Sequence, residues 1–192
     1  MELIDSLVKW STDFICDGGI PFGFFIVFLE CFIPALPLSV FVALNVNAFV
    51  FFIGTFISWI ATSSGSVICY TLYKLFKEKL FILLPKRKYL HMINSGIEKF
   101  KSIKFTQLVL ILTLPFTPSF LINILAGLSG MSKDKFIISV LIGKLFEVIF
   151  WGYIGKSLIE SLGDIRSLAY ILITLVIAYI ISKIISKKMN IE

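Results

Sequence analysis

Two charge-poor runs, each interrupted near its middle by a proline pair, constrain this chain more than any other feature. From Gly18 to Tyr73 there is one charged residue, Glu30, and Pro34 and Pro37 fall inside the run. From Phe105 to Ser132 there is no charge, and Pro115 and Pro118 fall inside that run. A spanning helix needs roughly 20 apolar residues, so either run is long enough to enter or cross a bilayer. A P-x-x-P pair removes two backbone donors and obstructs the helical turn before each ring. Lipid cannot satisfy the freed carbonyls, so the broken backbone needs shelter from protein or water. A helical hairpin that enters the membrane, turns at the prolines and leaves on the same side meets that need better than a kinked spanning helix. Hairpins are expected at 18–47 and 105–131, shaped by Pro34, Pro37, Pro115, Pro118 and Gly127.

Composition agrees with a lipid environment. Hydrophobic residues make up 58% of the chain and charged residues 16%, against about 45–50% and 25% in soluble domains. Mean hydropathy is +0.97. Twenty Phe against twelve Asp and Glu leave too little polar surface for a soluble globular enzyme. A disordered chain is excluded on the same grounds. The net charge of +6 reads as basic cytoplasmic loops rather than a nucleic-acid surface. Cys16, Cys31 and Cys69 have no metal-binding or disulfide spacing, and in apolar stretches a thiol acts as a small hydrophobe. The single histidine, His91, sits among basic residues and reads as solvated. No metal, cofactor or catalytic constellation is expected. The first seventeen residues carry Glu2, Asp5, Asp13 and Asp17 against Lys9, which is not the pattern of a cleaved signal peptide.

Loop charges set an expected topology. Residues 74–104 hold Lys74, Lys77, Lys79, Lys86, Arg87, Lys88, Lys99, Lys101 and Lys104 against Glu78 and Glu98, which marks a cytoplasmic loop. Lys183, Lys187 and Lys188 place the C-terminus on the same side. Two crossings after the loop, near 136–155 and 167–185, satisfy both ends if 105–131 is re-entrant. One crossing, 49–73, precedes the loop, and the first hairpin then starts outside. Within the loop, Tyr89, Ile93, Ile97 and Phe100 recur at helical spacing, as in a segment lying on the anionic inner leaflet.

The expected fold is therefore an all-α polytopic membrane protein in a single domain. It has two opposed re-entrant hairpins in an inverted repeat (18–73 and 105–155) and about three spanning helices. Inverted repeats with broken helices are characteristic of secondary transporters.

At these positions the chain resembles the DedA family within the VTT (SNARE-associated) superfamily. The resemblance rests on FLECFIPALPLS (Phe28–Ser39), LPFTPSFLINILAGLSGMSKDKF (Leu114–Phe136) and IGKLFEVIFWGYIG (Ile142–Gly155), in order over roughly residues 20–156. It implies two opposed re-entrant hairpins and movement of lipids between leaflets: polyprenyl-phosphate carriers in bacteria, phospholipids in eukaryotes. It also implies proton dependence in several bacterial members. Glu30 matches the acidic residue before the first proline pair. Ser39 stands where many members carry a second acid. Leu112, Thr113 and Leu114 occupy the neighbourhood where an arginine is often found. Asn123 and Ala126–Gly127 are closer to the Golgi-membrane-protein branch.

Few residues are left to carry chemistry. An ionised carboxylate near the bilayer centre costs about 2.5–3.5 kcal/mol on insertion scales. Glu30 thus reads as a proton or cation site in a polar cavity, or as a carboxylate reaching water at the interface. Lys144 and Glu147, three apart on one helix, form an internal ion pair or leave Lys144 to attract a lipid phosphate. Ser39, Thr117, Ser119 and Asn123 could add donors beside the helix N-termini after Pro37 and Pro118.

The expected function is a flippase or scramblase of an anionic lipid phosphate, such as a polyprenyl-phosphate carrier. The alternatives are a proton- or ion-coupled transporter of a small solute and a non-transporting membrane-organisation protein. The expected partners are membrane lipids and a proton or cation, with no nucleic acid, and a homo-oligomer is left open. The expected location is the cell membrane, and the Ile, Lys and Phe richness fits an AT-rich bacterial source.

Overall fold

A computed structural model of the chain describes residues 2–33, 36–77, 87–161 and 165–188. Every regular element among them is a helix: α1 Glu2–Glu30, α2 Leu38–Ala48, α3 Phe51–Leu75, α4 Arg87–Ser102, α5 Phe105–Thr113, α6 Ser119–Ser129, α7 Lys133–Glu160 and α8 Ile165–Lys188.

The proline pairs end helices as their chemistry requires. α5 stops at Thr113, and Leu114, which precedes Pro115, is extended (φ −72°, ψ 122°). Pro118 then caps α6 with extended geometry (φ −69°, ψ 106°). In the first half, α1 ends at Glu30, and Pro37 caps α2 in a similar conformation (φ −82°, ψ 108°). Pro34 and Ala35 lie outside the described residues.

Among the described residues four helices are long and apolar enough to cross a membrane: Thr12–Glu30, Phe51–Leu75, Lys133–Leu158 and Arg166–Lys187. This is one more than the three expected. The addition is the first arm of the expected 18–47 hairpin, lengthened towards the N-terminus. Helix continues through the acidic stretch around Asp13 and Asp17 because Gly19 absorbs a kink (φ 65°, ψ −170°). Pro21 follows at the start of the second segment, where a missing N–H is tolerated.

Contacts fix where each turn lies along the bundle. The Cys16 thiol donates to the Ala48 carbonyl at 3.6 Å. The Asn45 amide donates to the Gly23 carbonyl and the Ser58 hydroxyl, both at 3.0 Å, so α1 and α2 run antiparallel. The turn that joins them meets Thr62 and Ser66, midway along α3. The second turn is built differently. α5 packs on α7 and α6 packs on α3, while α5 and α6 scarcely touch each other. α5 nevertheless begins, and α6 ends, at the same end of the bundle. Lys135 Nζ donates to the Ile103 carbonyl just before α5. Just after α6, the Met131 carbonyl accepts from Tyr70 Oη (2.6 Å) and Lys74 Nζ (2.8 Å). Tyr70 stacks on Phe136, with centroids 4.3 Å apart, which joins the end of α3 to the start of α7. α3 and α7 pack together as the central pair, and α2 crosses onto α7.

α4 departs from its expected role. Ile97 and Phe100 are buried in a core shared with Leu125 of α6 and Phe136 of α7, not free for a lipid surface. The opposite face is solvated, with Glu98 and Lys101 paired at 2.6 Å. The side chains of Tyr89, His91 and Ile93 lie outside the described residues. α8 is the least covered helix, and Leu172, Ile173, Val176, Ile180 and Ile184 face outward.

Gly127 is the tightest point between α6 and α3, since an added Cβ would lie 2.7 Å from the Tyr70 carbonyl oxygen. Gly130 closes α6 in the left-handed region (φ 75°) with open space beside it. Gly130→Ala is expected to cost about 1–2 kcal/mol from backbone conformation alone. Gly127→Leu must displace backbone and is expected to cost more. Detergent-solubilised melting temperatures of the two variants check this order.

Candidate functional site: a buried charged cluster midway along the central helices

α3 buries polar side chains from Thr55 to Ser66, and α7 buries Ser139, Lys144 and Glu147. The charged ones, Lys144 and Glu147, lie near the midpoint of α7 and are 1% and 3% exposed. Lys144 Nζ donates to Glu147 at 2.5 Å. It also donates to the hydroxyl of Ser119, the first residue of α6. The bond to Ser119 ties the second proline turn to the centre of α7. Lys144 and Glu147 form an internal ion pair here.

The first proline turn brings a second carboxylate to the same place. Glu30, at the C-terminal end of α1, is 9% exposed and within electrostatic range of both Lys144 and Glu147. Its carboxylate accepts the Cys31 thiol at 3.8 Å. The Cys31 sulfur also lies 3.3 Å from the Thr62 carbonyl oxygen and 3.7 Å from the hydroxyls of Thr62 and Ser66. With every group ionised, two carboxylates against one ammonium sum to −1. A buried pair of this kind costs several kcal/mol per ion in desolvation, which good geometry and added hydrogen bonds only offset.

Around the charges several polar atoms have no partner. Asn123 is fully buried, one turn along from Ser119 on the same face of α6. It touches the Cys69 thiol, and neither amide atom has a partner in hydrogen-bonding geometry among the described residues. The same holds for the hydroxyls of Ser63 on α3 and Thr117 in the second turn. Each such group costs about 1–3 kcal/mol.

The sequence candidates fall into three groups. Glu30, Lys144, Glu147, Ser119 and Asn123 come together, with Thr117 in the adjoining turn. Ser39 is half-buried in the first turn of α2 and makes none of these bonds. Pro37, Pro115 and Pro118 shape the turns, Gly127 serves α6–α3 packing, and Pro34 lies outside the described residues. Sequence reasoning missed Cys31, Thr62, Ser63 and Ser66. The signal was present as T-S-S-G-S at Thr62–Ser66, a polar stretch in an otherwise apolar span.

Among the described residues no group of three His, Cys, Asp or Glu is placed to hold a metal ion. Glu147→Leu alone takes the contact partner from a buried ammonium, leaves Glu30 as its counter-charge, and is expected to cost about 3–5 kcal/mol. Lys144→Met with Glu147→Leu removes the pair, leaves Glu30 without a cation beside it, and is expected to cost less than the single variant. Thermal unfolding of the single and double variants measures the difference.

A family model for the VTT domain matches residues 33–157, which include both the second turn and the ion pair. The uncharacterized membrane protein YhjE of Bacillus subtilis (strain 168) is 30% identical over 158 residues, covering 81% of this chain and 75% of that protein. No solved structure matches the chain. The helices, the two proline turns and these matches lead to one assignment: the chain belongs to the VTT-domain (DedA) family of membrane proteins.

Proposed function

We propose that this protein moves an anionic lipid phosphate, such as a polyprenyl-phosphate carrier, between bilayer leaflets as a flippase or scramblase. One observation carries the reading: Lys144, Glu147 and Glu30 are gathered midway along helices long enough to span. Charges at that depth are expensive and usually mark a transport path. The proposed architecture is two re-entrant hairpins in an inverted repeat. It is supported by α1–α2 and α5–α6 starting from opposite ends of the central pair and meeting at its middle. Lys74, Lys99, Lys101, Lys104, Lys133 and Lys135 cluster in and beside the segment joining α3 to α5 and the start of α7, which supports a cytoplasmic side there. Lys183 and Lys187 extend the argument to the C-terminus. Lipid is the natural cover for the outward face of α8. We read the protein as a transporter and not an enzyme, in the cell membrane.

The excess carboxylate favours a second reading, a proton- or ion-coupled transporter of a small solute. Reconstitution into proteoliposomes separates the two. Labelled lipid phosphate is expected to equilibrate between leaflets with the parent protein, and Glu30→Gln is expected to slow it by about tenfold or more. Full activity in Glu30→Gln at equal insertion removes Glu30 from the path. No exchange by the parent, with solute uptake instead, favours the second reading.

Topology has its own test. Single cysteines at Ala35 and Phe116, in a background with Cys16→Ser, are expected to label with a membrane-impermeant maleimide from opposite sides. Labelling from one side contradicts opposed hairpins.

A further inference from the structure

The cluster contains more hydrogen-bonding capacity than it uses, and the excess surrounds the lysine. Lys144 Nζ is held by Glu147 and by Ser119. Ser119 opens α6, whose 11 residues present free backbone N–H groups and the positive end of a helix dipole at that point. Asn123 lies on the same face one turn on, fully buried beside the Cys69 thiol, and neither amide atom is in hydrogen-bonding geometry with another described residue. Thr117 precedes the helix with an unpartnered hydroxyl. An ammonium, a helix N-terminus, two hydroxyls and an amide form a donor set for a phosphate or similar oxyanion. Two acceptors are held against that lysine, the Ser119 hydroxyl oxygen and the Glu147 carboxylate, and of these only Glu147 is an anion.

We infer that Glu147 occupies the position of the bound anion. It is a built-in competitor that a phosphate group must displace from Lys144, with Ser119, Thr117 and Asn123 completing the site. This deepens the transport reading and rests on it only for the identity of the cargo. Displacement is needed because Glu30 also faces the site. An anion added while Glu147 still holds Lys144 would meet two carboxylates and an ammonium already neutralised. α2, α5 and α6 bring no titratable side chain to the site, and α3 brings Cys69, Tyr70, Tyr73 and Lys74. Tyr70 and Lys74 are engaged at Met131. Glu30 and Glu147 are therefore the two groups whose charge opposes the anion. The shared chemistry is a terminal phosphate group, on a lipid headgroup or free in solution as inorganic phosphate.

Calorimetric titration of the full-length protein in neutral detergent tests this. The probes are dioctanoyl phosphatidic acid, inorganic phosphate and uncharged dioctanoylglycerol. Glu147→Gln is expected to bind a phosphate probe about tenfold tighter than the parent, since it removes a competing charge at contact distance. Asn123→Leu in the Glu147→Gln background is expected to return most of that gain. Lys144→Met with Glu147→Leu, which removes the pair together, is expected to stay folded and bind neither phosphate probe. Tightening for phosphatidic acid alone assigns a lipid headgroup, and tightening for both assigns a general phosphate site. Either supports the proposal. It is overturned if Glu147→Gln binds no tighter than the parent, if the double variant binds as the parent does, or if dioctanoylglycerol binds as well as phosphatidic acid. Phosphate binding without leaflet exchange supports the anion site while removing the transport reading. Exchange without tightening in Glu147→Gln does the reverse.

Discussion

The bond between Lys144 and Glu147 is the constraint around which the rest of the bundle is arranged. An ammonium and a carboxylate out of water are tolerable only with fixed geometry and satisfied neighbours. Ser119 supplies one neighbour, and to do so α6 must begin at the centre of α7. That start position requires a helix break ahead of it, which Pro115 and Pro118 provide. The first break, before Pro37, brings Glu30 and Cys31 to the same level on α3. Ser119 after the second interruption and Glu30 and Cys31 before the first thus lie at the level of the same buried charges.

Hydrogen bonds at the ends of the central pair hold this centre in register. The Met131 carbonyl, shared by Tyr70 and Lys74, anchors the segment between α6 and α7 to the end of α3. Asn45, bridging Gly23 and Ser58, anchors α2 to α1 and α3 at the other end. These contacts join residues far apart in sequence. Side-chain polar atoms of Ser63, Thr117 and Asn123 have no partner among the described residues, and neither does the hydroxyl of Thr55, close to Ser58 on α3. Unused hydrogen-bonding capacity thus occurs both beside Ser119 and at the Asn45 end of α3.

Much of this was legible in the chain. Proline spacing located the two helix interruptions, because a ring nitrogen has the same effect in any fold. The scarcity of charge singled out Glu30, Lys144 and Glu147, because few other reasons keep such residues in apolar runs. The kink at Gly19 was hidden, since Asp13 and Asp17 look like the edge of a span and only the backbone shows helix passing through them. The burial of Ile97 and Phe100 was hidden too. An amphipathic pattern specifies an apolar face but not whether lipid or α6 covers it. Cys31 and the hydroxyls of Thr62 and Ser66 join the site through tertiary contacts separated by more than 30 positions, which no local pattern encodes.

The different construction of the two turns has a mechanical consequence. α1 and α2 pack on each other, so their turn is the tip of a closed unit. α5 rests on α7 and α6 on α3, so residues 114–118 straddle the seam between the central helices. Five residues reach at most about 18 Å when fully extended. α3 and α7 can separate at this level only as far as that strap allows, and separation draws Ser119 away from Lys144. The second turn is thus a strap of limited reach across the seam, and any widening of the seam at this level would act first on the bond between Ser119 and Lys144.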